Sequence, residues 1–148
     1  MTVDALDTRL ERDLRERGLR VTPQRLLMHR ALRELDRHVT AEELLAEVSK
    51  HLPNASLPTV YATLELFEEL GIVHRVPTSG GPALYDPRTH AHHHLQCRSC
   101  GKVEDLDTPV DAAPVIRAAI RRGFRPDGAE LVLSGLCARC ASSRGSGA

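Results

Sequence analysis

The stretch "HAHHHLQCRSCG", residues 90–101, places four histidines and two cysteines within twelve positions and determines how the second half of the chain folds. A second pair, Cys137 and Cys140, repeats the Cys-x-x-Cys spacing of Cys97 and Cys100. Four thiolates form the tetrahedral ligand set of a closed structural zinc site. We therefore predict that the two pairs bind one zinc ion, and that a small β-sheet brings them together.

The alternative interpretation of the cysteine pairs is a redox-active dithiol. Such a dithiol opens a helix after a thioredoxin-like strand, and neither pair stands in that context. The first residues, "MTVDALDTRLERDLRERG", are charged and helical in pattern, unlike a secretory signal, and no apolar run reaches the length of a membrane span. We therefore expect a cytoplasmic protein with reduced thiols and no membrane partner.

Composition limits the other partners. The 148 residues include 20 basic and 20 acidic side chains, so the formal net charge is zero. Binding to nucleic acid must then arise from local placement of arginines rather than from a global field. Aromatic residues make up only 3% of the chain, which favours zinc as a substitute for a large core in its second half.

The hydrophobic pattern predicts an α+β fold with a boundary near residue 88. Helices are expected at 6–18, 22–35, 40–52 and 56–71, where Thr22, Thr40 and Ser56 stand at N-cap positions. A hairpin of 72–77 and 82–87 follows, which is the element order of a winged helix-turn-helix. Residues 89–141 are predicted to form a small α/β domain with strands at 92–97, 102–106 and 129–137 and a helix at 109–123. The Ser/Gly-rich tail, 142–148, is expected to be disordered.

The histidines separate if residues 92–97 are extended. Side chains alternate between the two faces of a strand, so His92 and His94 point away from the face of His93 and Cys97. This favours a second metal site over a single one, built from imidazole and oxygen ligands that bind iron, manganese, nickel or zinc. The alternative for these residues alone is a solvated histidine run.

Several longer motifs together resemble the ferric uptake regulator family of metal-dependent repressors. They are "GLRVTPQR" (18–25), "HVTAEEL" (38–44), "LPTVYATLELFEELGIV" (57–73), "LYDP" (84–87), "HHHLQCRSCGKVEDL" (92–106) and "GLCARC" (135–140). The resemblance spans residues 8–140 in order. It implies a homodimer that binds a palindromic operator in double-stranded DNA, with residues 89–141 as the dimerisation and metal-binding domain.

The resemblance also implies a regulatory site for Fe²⁺ or Mn²⁺. Three imidazoles and two carboxylates suit either ion. The matching positions are His38, Asp86, His92, His94 and Asp105.

Two departures from the family pattern, and a third described below, indicate which subtype of the family this chain resembles. Some members have a further metal site, but its positions hold Ala91, His93, Ala112 and Ala129 here, so we expect that site to be absent. Zinc sensors usually add a cysteine to the regulatory site, whereas all four cysteines here belong to Cys-x-x-Cys pairs.

Both regulatory carboxylates are aspartates, which resembles the peroxide-sensing subfamily. There, bound Fe²⁺ reacts with peroxide and a ligand histidine is oxidised; His38 and His92 match the oxidised positions. The alternative within the family is an iron or manganese uptake regulator without peroxide sensing.

DNA recognition is expected from the helix that begins near Ser56. Its N-terminal part would reach base edges, and the resemblance assigns a base contact to Tyr61. Ala62 stands where relatives often have Arg or Asn, which removes one bidentate contact. Arg20 matches a minor-groove residue and Arg25 is expected at a phosphate, although a solvated helix face is an equal alternative for any one arginine. The predicted DNA contacts are Arg20, Arg25, Ser56, Thr59, Tyr61 and Thr63.

A zinc-dependent enzyme is the alternative of another class. Zinc deaminases need His-x-Glu ahead of Pro-Cys-x-x-Cys. No histidine here is followed two residues later by Glu, and no proline precedes either cysteine pair. We therefore predict that the chain is not an enzyme.

Overall fold

The chain divides into two compact units, residues 1–89 and 90–148. The computed structural model describes residues 5–78, 80–88 and 92–145. Ala91, one of the positions of the site predicted to be absent, lies outside the described residues. Among the described helices, none has the length and apolar character needed to cross a membrane.

The first unit consists of helices followed by a hairpin, in the predicted order. Its elements are α1 (Ala5–Glu16), α2 (Pro23–Leu35), α3 (Ala41–Ser49), α4 (Leu57–Glu69), β1 (His74–Val76) and β2 (Leu84–Asp86). The two strands are antiparallel. Helices α2, α3 and α4 pack in sequence against one another, and buried leucines, valines, Phe67 and Tyr85 form one hydrophobic core.

Local signals position the helix starts. The Thr22 hydroxyl accepts a hydrogen bond from the backbone N–H of Arg25, and Pro23 opens α2. At α3 the Thr40 hydroxyl accepts from the N–H of Glu43, and the Glu43 carboxylate accepts from the N–H of Thr40. This capping box lowers the pKa of Glu43, first through the Thr40 N–H. It fixes the chain entry into α3, immediately after residues 38 and 39.

A buried acid attaches α1 to α2. Asp7 is 1% exposed, and its Oδ2 lies 2.8 Å from Nε of Arg30, while Arg33 and His29 lie 3.6 and 3.4 Å from Oδ1. A buried carboxylate is stabilised only when donors surround it. Asp7 therefore orients α1, a role that its position in a charged helical sequence does not reveal.

A single β-bridge joins the loop before α3 to the hairpin. The N–H of Val39 donates to the carbonyl of Tyr85 over 2.9 Å, and the N–H of Tyr85 donates back to Val39 over 2.8 Å. In an antiparallel bridge, the residue before one partner faces the residue after the other. His38 and Asp86 are therefore placed opposite each other.

The second unit is a three-stranded sheet with two helices. Its elements are β3 (His93–Cys97), β4 (Val103–Leu106), α5 (Ala113–Arg121), β5 (Val132–Gly135) and α6 (Ala138–Gly145). Strand β3 is central, antiparallel to β4 and parallel to β5. Helix α5 begins at Ala113, four residues later than predicted. The Asp111 carboxylate accepts a hydrogen bond from the N–H of Ala113 in a turn that precedes Pro114.

Helix α6 extends into the segment predicted to be disordered. It reaches Gly145, and residues 146–148 lie outside the described residues. The Ser142 and Ser143 hydroxyls donate to the carbonyls of Ala138 and Cys140, which adds local hydrogen bonds to this short helix. Composition alone therefore overestimated the disorder of the tail.

Candidate metal centres and nucleic-acid interface

The four cysteine thiols lie together at one end of the second unit. One sulfur from each of Cys97, Cys100, Cys137 and Cys140 lies within 4.8 Å of all the others. The parallel pairing of β3 with β5 sets Cys97 opposite Gly135, two residues before Cys137. A turn brings Cys100 back, and the first turn of α6 contributes Cys140. This is the arrangement that a tetrahedral thiolate site requires.

Backbone hydrogen bonds favour thiolates in this cluster. The N–H groups of Cys100 and Cys137 lower the pKa of the Cys97 thiol to about 5. The N–H of Cys140 is the main cause of the lowered pKa of Cys137. The Cys140 thiol donates to Cys137, which raises the pKa of Cys140 to about 11. Since the thiolate is the form that binds metal, the cluster is chemically suited to zinc.

Two histidines of the second unit converge on one carboxylate. Nε2 of His92 and Nε2 of His94 lie 3.2 and 3.4 Å from the same oxygen, Oδ1 of Asp105. The β3–β4 register pairs His94 directly with Asp105, which puts both side chains on one face of the sheet. Both imidazoles are buried, and their ring centroids are 4.7 Å apart. This face is opposite the one that carries Cys97, as the alternation along the strand predicts.

A second acidic residue, which the sequence analysis missed, contacts this group. Oε1 of Glu130 lies 2.7 Å from Nδ1 of His94, on the opposite side of the ring from Asp105. No motif spacing marks Glu130, because it is brought to His94 by the pairing of β3 with a strand 38 positions further along the chain. A parallel register of this kind is not encoded locally.

The first unit contains a corresponding pair. Nε2 of His38 lies 3.2 Å from Oδ2 of Asp86, and Asp86 is fully buried. The other Asp86 oxygen accepts a hydrogen bond from the N–H of Arg88 over 2.9 Å. The Val39–Tyr85 bridge therefore places one imidazole and one oriented carboxylate side by side, both of them common metal ligands.

The predicted DNA contacts on α4 differ in accessibility. Ser56 is exposed, and its hydroxyl lies 3.0 Å from that of Thr59. Tyr61 is half-buried and packs against the core with part of its ring. Thr63 is only 6% exposed and its hydroxyl donates to the carbonyl of Thr59, so its side chain is turned inward and is unsuited to a base contact.

The arginines predicted to contact DNA lie at the start of α2. Arg20 is exposed, and the guanidinium of Arg25 donates to the Arg20 carbonyl. A surface groove separates this region from the N-terminal part of α4. It is lined by residues that include Leu19, Thr22, Arg25, Pro58, Thr59 and Ala62.

The second unit also exposes large apolar side chains. No residue of α5 is buried, Val115 is 70% exposed and Phe124, just after the helix, is 65% exposed. Leu131 and Leu133 are exposed on or beside the edge strand β5. Apolar patches of this kind mark interaction surfaces.

Comparison with known proteins agrees with this architecture. Residues 16–133 match the model of the ferric uptake regulator family. Transcriptional regulator FurA of Mycobacterium tuberculosis is 37% identical over 131 residues, which cover 88% of each chain. Peroxide-responsive repressor PerR of Staphylococcus epidermidis is 36% identical over 110 residues, covering 72% of this chain and 73% of that protein.

A solved structure of a zinc uptake regulator complexed with zinc and DNA has a TM-score of 0.67 and 28% identity. The match covers 98% of this chain and 99% of that one. Members of the matched family are transcriptional regulators and not enzymes, which removes the zinc-enzyme alternative. This chain therefore belongs to the ferric uptake regulator family of metal-responsive transcriptional regulators.

Proposed function

We propose that the chain is a homodimeric, metal-dependent repressor that senses peroxide through Fe²⁺ bound by histidines and aspartates. The observation that carries the proposal is the convergence of buried His92 and His94 on one oxygen of Asp105. Two imidazoles and a carboxylate that converge in this way offer nitrogen and oxygen ligands suited to Fe²⁺ or Mn²⁺. Residues 1–88 are the DNA-binding domain in this proposal, and residues 89–141 form the dimerisation and metal-binding domain.

Structural zinc is assigned to the four cysteines. Their mutual distances and the lowered pKa of the Cys97 and Cys137 thiols fit a closed thiolate site. The second unit has few buried apolar side chains of its own among its described residues. Zinc binding therefore supplies folding free energy that a small core does not.

The regulatory ion is assigned to both histidine groups together. His38 and Asp86 offer one imidazole and one carboxylate, and His92, His94 and Asp105 offer two imidazoles and one carboxylate. Neither group alone offers more than three ligand residues, whereas the two groups together offer five. The order of the five residues along the chain is that of the family motifs, which supports a single shared ion.

DNA binding is assigned to α4 and the start of α2. The related zinc uptake regulator was solved in a complex with DNA, and the two chains share a fold. Exposed Ser56 and half-exposed Thr59 and Tyr61 lie at the N-terminal end of α4, where a recognition helix reaches base edges. Arg25 lines the neighbouring groove and would contact a phosphate, and exposed Arg20, just before α2, would enter the minor groove. Thr63 is left out because it is buried.

Dimerisation is assigned to the exposed apolar surface of α5 and β5. Val115, Ile120 and Phe124 would be covered by a second copy of the chain, which a two-fold axis makes self-complementary. A two-fold dimer presents two copies of α4 to the two halves of a palindrome. A repressor acts on the chromosome, so we place the protein in the cytoplasm, where its thiols also remain reduced.

Metal controls DNA binding in this proposal by differential affinity. An ion that needs ligands from both units favours the arrangement in which all of them reach it. To shift such an equilibrium from about 1:99 to about 99:1, the ion must bind that arrangement roughly 10⁴-fold more tightly. Loss of one ligand lowers this preference and releases the DNA.

Peroxide sensing, rather than metal sensing alone, is favoured by the ligand type. When bound, Fe²⁺ would supply the electron that cleaves the O–O bond of hydrogen peroxide. His38 or His92 would supply the imidazole ring carbon that takes up one peroxide oxygen, while the other oxygen leaves as water, so the ring loses two electrons and the iron undergoes no net change. An oxidised ring would lose its ligand geometry. The Asp105 side chain is shorter than that of a glutamate, so its carboxylate is less able to bind the ion through both oxygens. A peroxide-responsive relative at 36% identity supports this assignment.

The zinc assignment predicts that Cys137→Ser abolishes the dimer, because three thiolates do not complete the site that organises the small sheet. The measurement is the molar mass by light scattering together with the zinc content of the purified protein. Ser142→Ala, in the helix that directly follows Cys137 but outside the thiol cluster, should stay dimeric with full zinc. A zinc-free Cys137→Ser protein that remains a folded dimer would contradict the assignment.

The DNA assignment predicts that Tyr61→Ala weakens specific binding by roughly tenfold, the scale of one lost base contact at about 1–3 kcal/mol. Binding is measured by fluorescence anisotropy with a duplex selected from a random library by the manganese-loaded protein. Tyr61→Phe, which keeps the ring, is the matched control for helix packing. Unchanged specific affinity in Tyr61→Ala, with zinc content and dimer intact, would remove Tyr61 from the interface.

The peroxide assignment predicts different responses of the iron and manganese forms. With the same selected duplex, iron-loaded protein should lose DNA binding at low peroxide and gain an oxygen mass on His38 or His92. Manganese-loaded protein should keep its DNA, and Asp105→Glu should bind Fe²⁺ yet respond less. Equal resistance of both metal forms would instead identify an iron or manganese uptake regulator.

A further inference from the structure

Glu130 is a half-buried carboxylate in direct contact with a proposed metal ligand. Its Oε1 lies 2.7 Å from Nδ1 of His94, while Nε2 of the same ring faces Asp105 at 3.4 Å. The His94 side chain is fully buried and that of Glu130 is 20% exposed. The two ring nitrogens therefore face two different carboxylates from opposite sides.

The position of Glu130 is fixed by the backbone around it. The N–H of Leu131 donates to Nδ1 of His93 over 3.0 Å, and the N–H of His94 donates to the carbonyl of Leu131 over 3.0 Å. The β3–β5 ladder continues from there with His94 opposite Val132. His93 and His94 thus hold the segment that carries Glu130. His93 lies outside the proposed metal sites and has this structural role instead.

The contact selects one form of the His94 ring. A carboxylate oxygen 2.7 Å from Nδ1 repels a ring lone pair and attracts a proton, so the contact favours a proton on Nδ1 over a lone pair there. When the ring is neutral and binds a metal ion, its lone pair then lies on Nε2, the nitrogen on the Asp105 side. A carboxylate behind a ligand histidine also increases the basicity of the ligating nitrogen.

We propose that Glu130 is a positioning residue for the regulatory metal: it holds the proton of His94 on Nδ1 and presents Nε2 to the ion. The inference rests on the proposed role of His94 as a ligand. It adds a charged residue behind the site, and it identifies the segment before β5 as a determinant of metal affinity. Outer carboxylates of this type change metal affinity by about 10–100-fold when removed.

The test combines Mn²⁺ affinity with a direct readout of the ring. Zinc-containing full-length protein is titrated with Mn²⁺, and the free ion is followed by electron paramagnetic resonance. Glu130→Ala should weaken Mn²⁺ binding by about 10–100-fold with zinc content and dimer unchanged. Glu130→Gln, whose amide oxygen can still accept a hydrogen bond from Nδ1–H, should lose less Mn²⁺ affinity than Glu130→Ala. Glu104→Gln, an exposed glutamate on β4 that pairs with Lys102, is the matched control and should bind as wild type.

Nitrogen-15 NMR of the ring without Mn²⁺ reports the proton position, which a merely structural role would not change. Wild type and Glu104→Gln should show His94 protonated on Nδ1, and Glu130→Ala should shift the proton toward Nε2. Wild-type Mn²⁺ affinity and an unchanged ring in Glu130→Ala would overturn the inference. Equal losses in both Glu130 variants with an unchanged ring would overturn it in favour of direct ligation. Failure of the wild type itself to bind Mn²⁺ would overturn the proposed function instead.

Discussion

The alternation of side chains along β3 is the constraint on which both the cysteine cluster and the histidine group of the second unit depend. Because successive residues point to opposite faces, one strand carries His94 toward Asp105 and Cys97 toward the other cysteines. A shift of the register by one residue would exchange the two faces and destroy both groups. Structural zinc at one end of this strand therefore also stabilises the register that the histidine group requires.

In the first unit, a single β-bridge places the histidine beside the carboxylate. The Val39–Tyr85 pair brings the loop before α3 to the hairpin, and His38 meets Asp86 as a direct result. The capping box of α3 fixes the chain on the other side of Val39. In the proposed function, the residues of each unit that would bind the ion are already in contact with one another, which would reduce the ordering cost of metal binding.

The sequence predicted which residues form these groups better than it predicted the residues that surround and orient them. Cysteine spacing and strand alternation are local properties, so they indicated the thiol cluster and the opposite direction of His94. Glu130 was missed because a parallel pairing over a long separation brings it to His94. Asp7 was missed because only the tertiary contact with Arg30 distinguishes it from a solvated helical acid. The inward turn of Thr63 depends on how α4 packs, which a contact motif does not specify.

The proposed function requires that one ion is bound by residues of both units. Titration of the zinc-containing protein with Mn²⁺ tests it, with Asp86→Ala and His92→Ala compared singly and combined. The account predicts one regulatory ion per chain, loss of that same ion in either single variant, and little further loss in the double variant, since the two residues act as a unit. Two separate binding events, each removed only by the substitution in its own unit, would contradict it.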